Sequence, residues 1–263
     1  MPVDMTALAA DLAAESAVTR ALVAGLDETG WQTPTPAAGW NIKDQVSHLA
    51  FFDEVAVKSA VRPDEFRAEI SAGFGHLDPD LIAARYRVRT GADLLSWFED
   101  ARAELLGTFA VIDPQQRLPW FGPPMSAASS LTARLMETWA HTQDIADALS
   151  VTREPTSRLR HVAHIGVGAR AFSYAARGQV MPGIPVRVEL TAPDGTAWTW
   201  GPADAQDRVS GTALDFCLLV TQRRHRDDLT LTIAGDAAQE WMAIAQAFAG
   251  PPGPGREPIR ESR

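Results

Sequence analysis

The hydrophobic period of this chain changes once, near Gly178, and that change limits the folds open to it. Before it, apolar residues return at helix-compatible spacings: Leu8, Leu12, Leu22 and Leu26, then Ile42, Val46, Leu49, Phe52 and Val55. Such spacing lines one face of a helix. After it, Val186, Val188 and Leu190 alternate, Pro193-Asp194-Gly195 supplies a turn, and Ala197 to Trp200 returns as a second strand. A period of two belongs to strands. Two grammars in series predict an α+β protein: a helical bundle followed by a smaller mixed domain.

Punctuation along the chain sets the expected bounds. Thr33-Pro34-Thr35-Pro36 closes the first helical segment, and Asn41, an N-cap residue type with Asp44 three positions on, opens a second that runs towards Ser59. A third is expected from Pro79 to Phe109, a fourth from Ser129 to Leu149 and a fifth from Ser157 to Arg177. Four long helices joined by loops suggest a bundle with the fifth packed on it. The segment DPQQRLPWFGPPMS is too rich in proline for a helix and reads as an aromatic loop, either covering a pocket or plugging a domain boundary. Beyond the turn come a short strand at Arg208-Val209-Ser210, a helix over Thr212 to Gln222, a strand over Leu229 to Ile233 and a helix over Ala237 to Phe248. The expected division is therefore 1–178 for the bundle, 179–250 for the α+β domain and 251–263 for a disordered tail.

Composition excludes several classes of function. A net charge of -9 argues against nucleic acid or an anionic membrane as partner. No run of about twenty apolar residues exists to span a bilayer. The amino end carries Asp4, Asp11 and Glu15 and reads as an amphipathic helix rather than a signal peptide, so a cytoplasmic protein is expected. The single cysteine, Cys217, sits among apolar residues in ALDFCLLV and reads as a buried, inert thiol. It also rules out an internal disulfide framework and a site built from several thiolates.

Chemistry is most legible in the fourth helix. Glu137 and His141 lie four residues apart, so one helix face presents both, and Asp144 continues that stripe. Imidazole and carboxylate are both ligands for zinc and related divalent ions. The pair alone fits a solvated polar face equally well. His48, in NIKDQVSHLAFFDE, reads alone as a core histidine; if the second and fourth helices pack together it can join the pair as a third ligand. Asp53 and Glu54, which follow, read as solvated. His161 and His164 have no carboxylate beside them on their helix, and His76 and His225 sit in ordinary exposed settings. Trp40 and Trp139 read as core.

The segment GWNIKDQVSHLAFFDE resembles the GWTVRDVVAHL-type segment of DinB-like metal-binding four-helix proteins, and more narrowly the amino-terminal domain of mycothiol-dependent maleylpyruvate isomerases. METWAHTQDIADAL resembles the second segment of that family. The resemblance covers residues 5 to 150 in layout and implies a DinB-like bundle with His48, Glu137 and His141 as metal ligands. Asp144 has no ligand role in that pattern and stands as either an orienting partner for a ligating histidine or an exposed acid. The resemblance further implies an arginine supplied by the carboxy-terminal domain, for which Arg223 is the candidate; Arg223 and Arg224 also suit the negative end of their helix. The run TQRRHRDDLTLTIAGDAAQEWMAIAQAFAG is similar to a small domain attached to tRNA wyosine-forming proteins, although the acidic charge gives no support to RNA binding.

Three functional readings follow. The first is an enzyme holding a divalent metal, zinc by preference, that uses a small thiol as nucleophilic cosubstrate for isomerisation or S-transfer on a small electrophilic acid. The resemblance, with a strong bias to arginine over lysine (Lys43 and Lys58 are the only lysines), favours mycothiol in an actinobacterial setting. The second is a metal-dependent hydrolase using bound water. The third is a non-enzymatic metal-binding protein.

Overall fold

The computed structural model describes residues 4–73, 78–253 and 255–259, so His76 lies outside the described residues. The chain divides into two compact units, 1–153 and 154–263.

In the first unit the long helices are α1 (Met5–Val23), α3 (Ile42–Val61), α6 (Gly91–Phe109) and α7 (Ala127–Ala148), with short helices α2 (Glu28–Trp31), α4 (Pro63–Ser71) and α5 (Pro79–Tyr86) between them. α3 packs on both α6 and α7, and α1 packs on the same two, which makes a four-helix bundle. Ile42, Val46, Leu49 and Ala50 of α3 meet Leu94, Phe98 and Ala101 of α6 and Ile145 of α7 in its core. α3 starts where the sequence places it. The Asn41 side chain accepts from the Asp44 N–H, and the Asp44 carboxylate accepts in return from the Asn41 N–H, a reciprocal cap. Asp44 is also gripped by Arg87, whose Nε and Nη2 reach its two oxygens at 2.8 and 2.7 Å while Nη2 donates to the Gly39 carbonyl. The loop before α3 is thereby tied to the segment after α5.

Two expectations about this unit need correction. The continuous helix from Pro79 to Phe109 is broken between Tyr86 and Gly91. Thr90 caps a new helix by accepting from the Asp93 N–H, and Gly91 lies so close to Trp31 that a Cβ there would fall 2.2 Å from the indole. Asp53 is not solvated but completely buried. Its carboxylate bridges Arg102 Nε of α6 at 2.7 Å and Arg134 Nε of α7 at 2.8 Å, and both guanidinium groups are themselves buried. Arg102 reaches on to Ser16 of α1 and Thr138 of α7. Only Glu54 stays near the surface, accepting from Trp97 Nε1.

The boundary falls after Arg153 rather than near residue 178. The expected fifth helix is two short ones, α8 (Leu159–Gly168) and α9 (Arg170–Ala175), and α8 packs on α10 (Ala213–Val220) of the second unit. Gly166 permits that contact, since a Cβ there would meet the Val220 side chain at 2.6 Å. The sheet of this unit runs β4–β3–β5–β6, from β3 (Val186–Thr191), β4 (Ala197–Trp200), β5 (Asp207–Thr212) and β6 (Thr232–Ala234). β3 and β5 are parallel; the other pairs are antiparallel.

The Pro193-Asp194-Gly195 turn joins β3 to β4 as expected, with Gly195 at φ 81°. β6 starts later than the expected Leu229 because the Asp215 carboxylate takes the backbone N–H and hydroxyl of Thr230. The last helix, α11 (Asp236–Ile244), stops short of Phe248 where Ala245 turns extended. The tail has no regular structure over its described residues, yet it is held: the Ile259 N–H donates to Asp228, and Arg256 Nε to the Gln222 carbonyl. None of the described helices is long and apolar enough to cross a membrane.

The buried Asp53 bridge yields a direct test. Asp53→Asn leaves two buried guanidinium groups without their counter-charge, a change that costs about 3–5 kcal/mol in comparable buried pairs. Urea denaturation of the variant is expected to show a loss of that size; a loss below about 1 kcal/mol would remove the bridge from its place in the fold.

Candidate metal centre

α3 and α7 run in opposite directions along their contact: Asp53 meets Arg134, while Gln45, earlier on α3, meets His141, later on α7. One to two turns away on both helices, the same packing brings His48 to Glu137 and His141. His48 Nε2 is 3.8 Å and His141 Nε2 is 3.1 Å from the same carboxylate oxygen, Glu137 Oε2. One donor atom from each of the three residues lies within 4.8 Å of the others, and among the described residues no other group of three or more potential ligands forms. The sequence places Glu137 and His141 on one face; the fold supplies the third member from 89 positions upstream of Glu137.

The surroundings are apolar and aromatic. The His48 ring packs against Phe52 at 4.6 Å and His141 at 4.4 Å between centroids. Trp40 stacks on His141 at 5.9 Å and tilts over His48 at 5.4 Å, while its Nε1 donates to Asp80. Trp40 is therefore a wall of the site as well as a packing residue. The aromatic loop between the short strands β1 (Arg117–Leu118) and β2 (Met125–Ser126) adds a further layer: Phe121 sits edge-on to Phe52 and Phe66, and Trp120 stacks on Phe66. Trp139 is buried beneath Arg153, whose guanidinium lies over its ring.

These surroundings set the charges. Burial, reinforced by repulsion from His141, outweighs the pull of Glu137 and pushes His48 down to about 4. His48 is thus a neutral imidazole at neutral pH, the form that offers a lone pair to a cation. For Glu137 burial opposes ionisation, but the contacts with His141 and His48 prevail and hold its carboxyl well below the usual range. The donor set is therefore two imidazoles and one ionised carboxylate, the set known for catalytic zinc sites that keep a fourth position for another ligand. This donor chemistry fits a divalent ion. A buried polar atom left without a partner, His48 Nδ1, lies on the other side of its ring.

The remaining sequence candidates are placed as follows. Asp144 is completely buried, which overturns its reading as an exposed acid. Gln45, not singled out in the sequence, touches His141: its Oε1 is 2.5 Å from Nδ1. It stands where the GWTVRDVVAHL-type segment carries valine, and a lone amide among core residues gives little notice of itself. Arg223 follows α10 in the second unit, and its Nη1 donates to the Thr221 carbonyl at 2.6 Å. Cys217 is buried in α10, with its Sγ 3.4 Å from the Leu159 carbonyl, and burial raises its thiol well above the usual range. His164 accepts from Trp200 Nε1, and His225 caps a short turn by accepting from the Asp227 N–H.

The lowered basicity of His48 makes a signed prediction. In the unfolded chain the imidazole takes up a proton below about 6.5; in the folded, metal-free protein it does so only near 4. Stability tied to this residue is complete above pH 6.5 and is lost as the pH falls from 6.5 towards 4. A histidine-resolved NMR titration of metal-free protein is expected to place the His48 inflection near pH 4, and an inflection near 6.5 would contradict the environment described.

Comparisons with known proteins match two family models, one in each part of the chain. The family model described as the mycothiol maleylpyruvate isomerase N-terminal domain matches residues 12–146, and one described as wyosine base formation matches residues 182–232. Uncharacterized proteins of Mycobacterium tuberculosis, from strains CDC 1551 and H37Rv, are each 47% identical over 254 residues, spanning 94% of this chain and 97% of theirs. Among solved structures, the mycothiol-dependent maleylpyruvate isomerase and its histidine-to-alanine mutant align with TM-scores of 0.57 and 0.59. Both are 15% identical and cover 88% of this chain and 93% of theirs, a likeness of fold. The amino-terminal bundle, and with it this chain, belongs to the mycothiol maleylpyruvate isomerase N-terminal domain family.

Proposed function

We propose that this protein is a divalent-metal enzyme, with zinc the preferred ion, that takes a small thiol, mycothiol, as nucleophilic cosubstrate for isomerisation or S-transfer on a small electrophilic acid. The observation that carries the reading is the convergence of His48, Glu137 and His141 within 4.8 Å under an aromatic wall. His48, Glu137 and His141 would hold the ion. When bound, it would supply the positive charge that lowers a thiol's pKa and favours the thiolate at neutral pH.

The chain's own residues do the rest. Neutral His48 offers a lone pair without first losing a proton, and ionised Glu137 offsets one positive charge. Phe52 and Trp40 limit water around the donors, which strengthens electrostatic effects there. The nucleophile is expected to come from outside, because the chain's single thiol, Cys217, is buried and held in its protonated form. Arg223 remains the candidate for gripping a substrate carboxylate, a task suited to a guanidinium fork.

Metal analysis and turnover test this reading together. Protein purified without chelator is expected to carry about one equivalent of zinc. His48→Ala is expected to lose it, and turnover across a panel of electrophilic acids is expected to require added mycothiol. Absence of stoichiometric metal in the wild type would overturn the proposal, and so would metal-dependent hydrolysis that proceeds equally without thiol.

A further inference from the structure

The two histidines of the site are held very differently. His48 Nδ1 is buried with no hydrogen-bond partner, whereas His141 Nδ1 lies 2.5 Å from Gln45 Oε1. Gln45 is itself completely buried on α3, one turn before His48. The orientation of its amide follows from the next contact outward. Thr35 Oγ1 has one proton and donates it to the Trp40 carbonyl at 3.1 Å, so towards Gln45 it can only accept. Gln45 Nε2 is its donor at 2.9 Å. That places the amide oxygen, an acceptor, against His141, and the ring nitrogen facing it must carry a hydrogen.

We propose that Gln45 is a positioning residue that keeps a proton on His141 Nδ1 and so reserves His141 Nε2 for the ion between His48 and Glu137. The inference rests on the metal-centre reading and deepens it. The competing arrangement is close at hand. Glu137 Oε2 is 3.1 Å from His141 Nε2, and a neutral ring protonated on Nε2 would donate to it, closing the site with an internal hydrogen bond. An ion would then have to displace that proton. Gln45 favours the other tautomer by giving Nδ1–H a buried acceptor, worth more there than in water. The chain of contacts Trp40–Thr35–Gln45–His141 also explains why the loop that presents Trp40 and the ligand it stacks on are fixed together. Partners of this kind typically change metal affinity 10–100-fold when removed.

The test separates tautomer from metal content. In metal-free, histidine-labelled protein, long-range proton–nitrogen NMR is expected to show His141 protonated at Nδ1, with that hydrogen exchanging slowly. In Gln45→Val the slow hydrogen is expected to vanish and the ring to carry its proton on Nε2. Gln45→Glu, which retains an acceptor, is expected to restore Nδ1–H. Competition titrations with zinc are expected to give a roughly 10–100-fold weaker affinity for Gln45→Val and recovery in Gln45→Glu. Unchanged Nδ1–H in Gln45→Val would overturn the proposal. So would a weaker zinc affinity that Gln45→Glu does not recover, since that pattern reports damaged packing. If wild type binds no zinc, the metal reading fails, while the tautomer measurement still decides the role of Gln45.

Discussion

One buried carboxylate holds this site in register. Asp53 of α3 bridges Arg102 of α6 and Arg134 of α7, and Arg102 extends the network to Ser16 of α1. All four bundle helices therefore meet at one charge-paired point inside the first unit. The residues that form the candidate metal centre lie on the same two helices, His48 five residues before Asp53 and Glu137 three residues after Arg134. A slip of one turn between α3 and α7 would break the ion pairs and part the three candidate ligands together. Buried ion pairs add little net stability when compared with apolar packing, but they penalise misalignment heavily. Asp53 therefore penalises a slipped register of the two helices that carry the candidate site.

Electrostatics then distinguishes the three candidate ligands. His48 sits against Phe52 and Trp40 and stays neutral; Glu137 stays charged although burial opposes it; His141 is held from behind by an amide. The second unit holds the only thiol, in a position where burial suppresses its chemistry. Under the proposed function the borderline donor set of two imidazoles and a carboxylate would act on sulfur from an imported thiol, since the chain's own thiol is buried. The family to which the chain belongs is named for such a cosubstrate, but the fold alone could carry other reactions.

What the sequence disclosed was local, and what it withheld depended on distant partners. Asn41 and Asp44 advertise a helix start because a capping box acts over four residues, and the structure has it. Glu137 and His141 advertise a shared face for the same reason. Asp53 gave no such notice: its partners lie 49 and 81 positions away, and next to Glu54 it looks like half of a solvated pair. Gln45 is silent in the sequence because the residue it contacts, His141, lies 96 positions on. The break in the third predicted helix goes with a cap at Thr90, which leaves the hydrophobic period unchanged. The hydrophobic period likewise runs on past Arg153, where the first unit ends. α8 has a helical sequence, but its apolar face is buried by the second unit.

In the proposed function His48, Glu137 and His141 would hold an ion with room for an imported thiol. Cobalt substitution reads this most directly, because cobalt in such a site gives visible bands that report coordination, and a thiolate joining it adds a strong charge-transfer band in the near ultraviolet. Addition of mycothiol to the cobalt-loaded protein is predicted to produce that band at about one equivalent. Cobalt that binds stoichiometrically yet shows no sulfur charge transfer at saturating mycothiol would contradict the account.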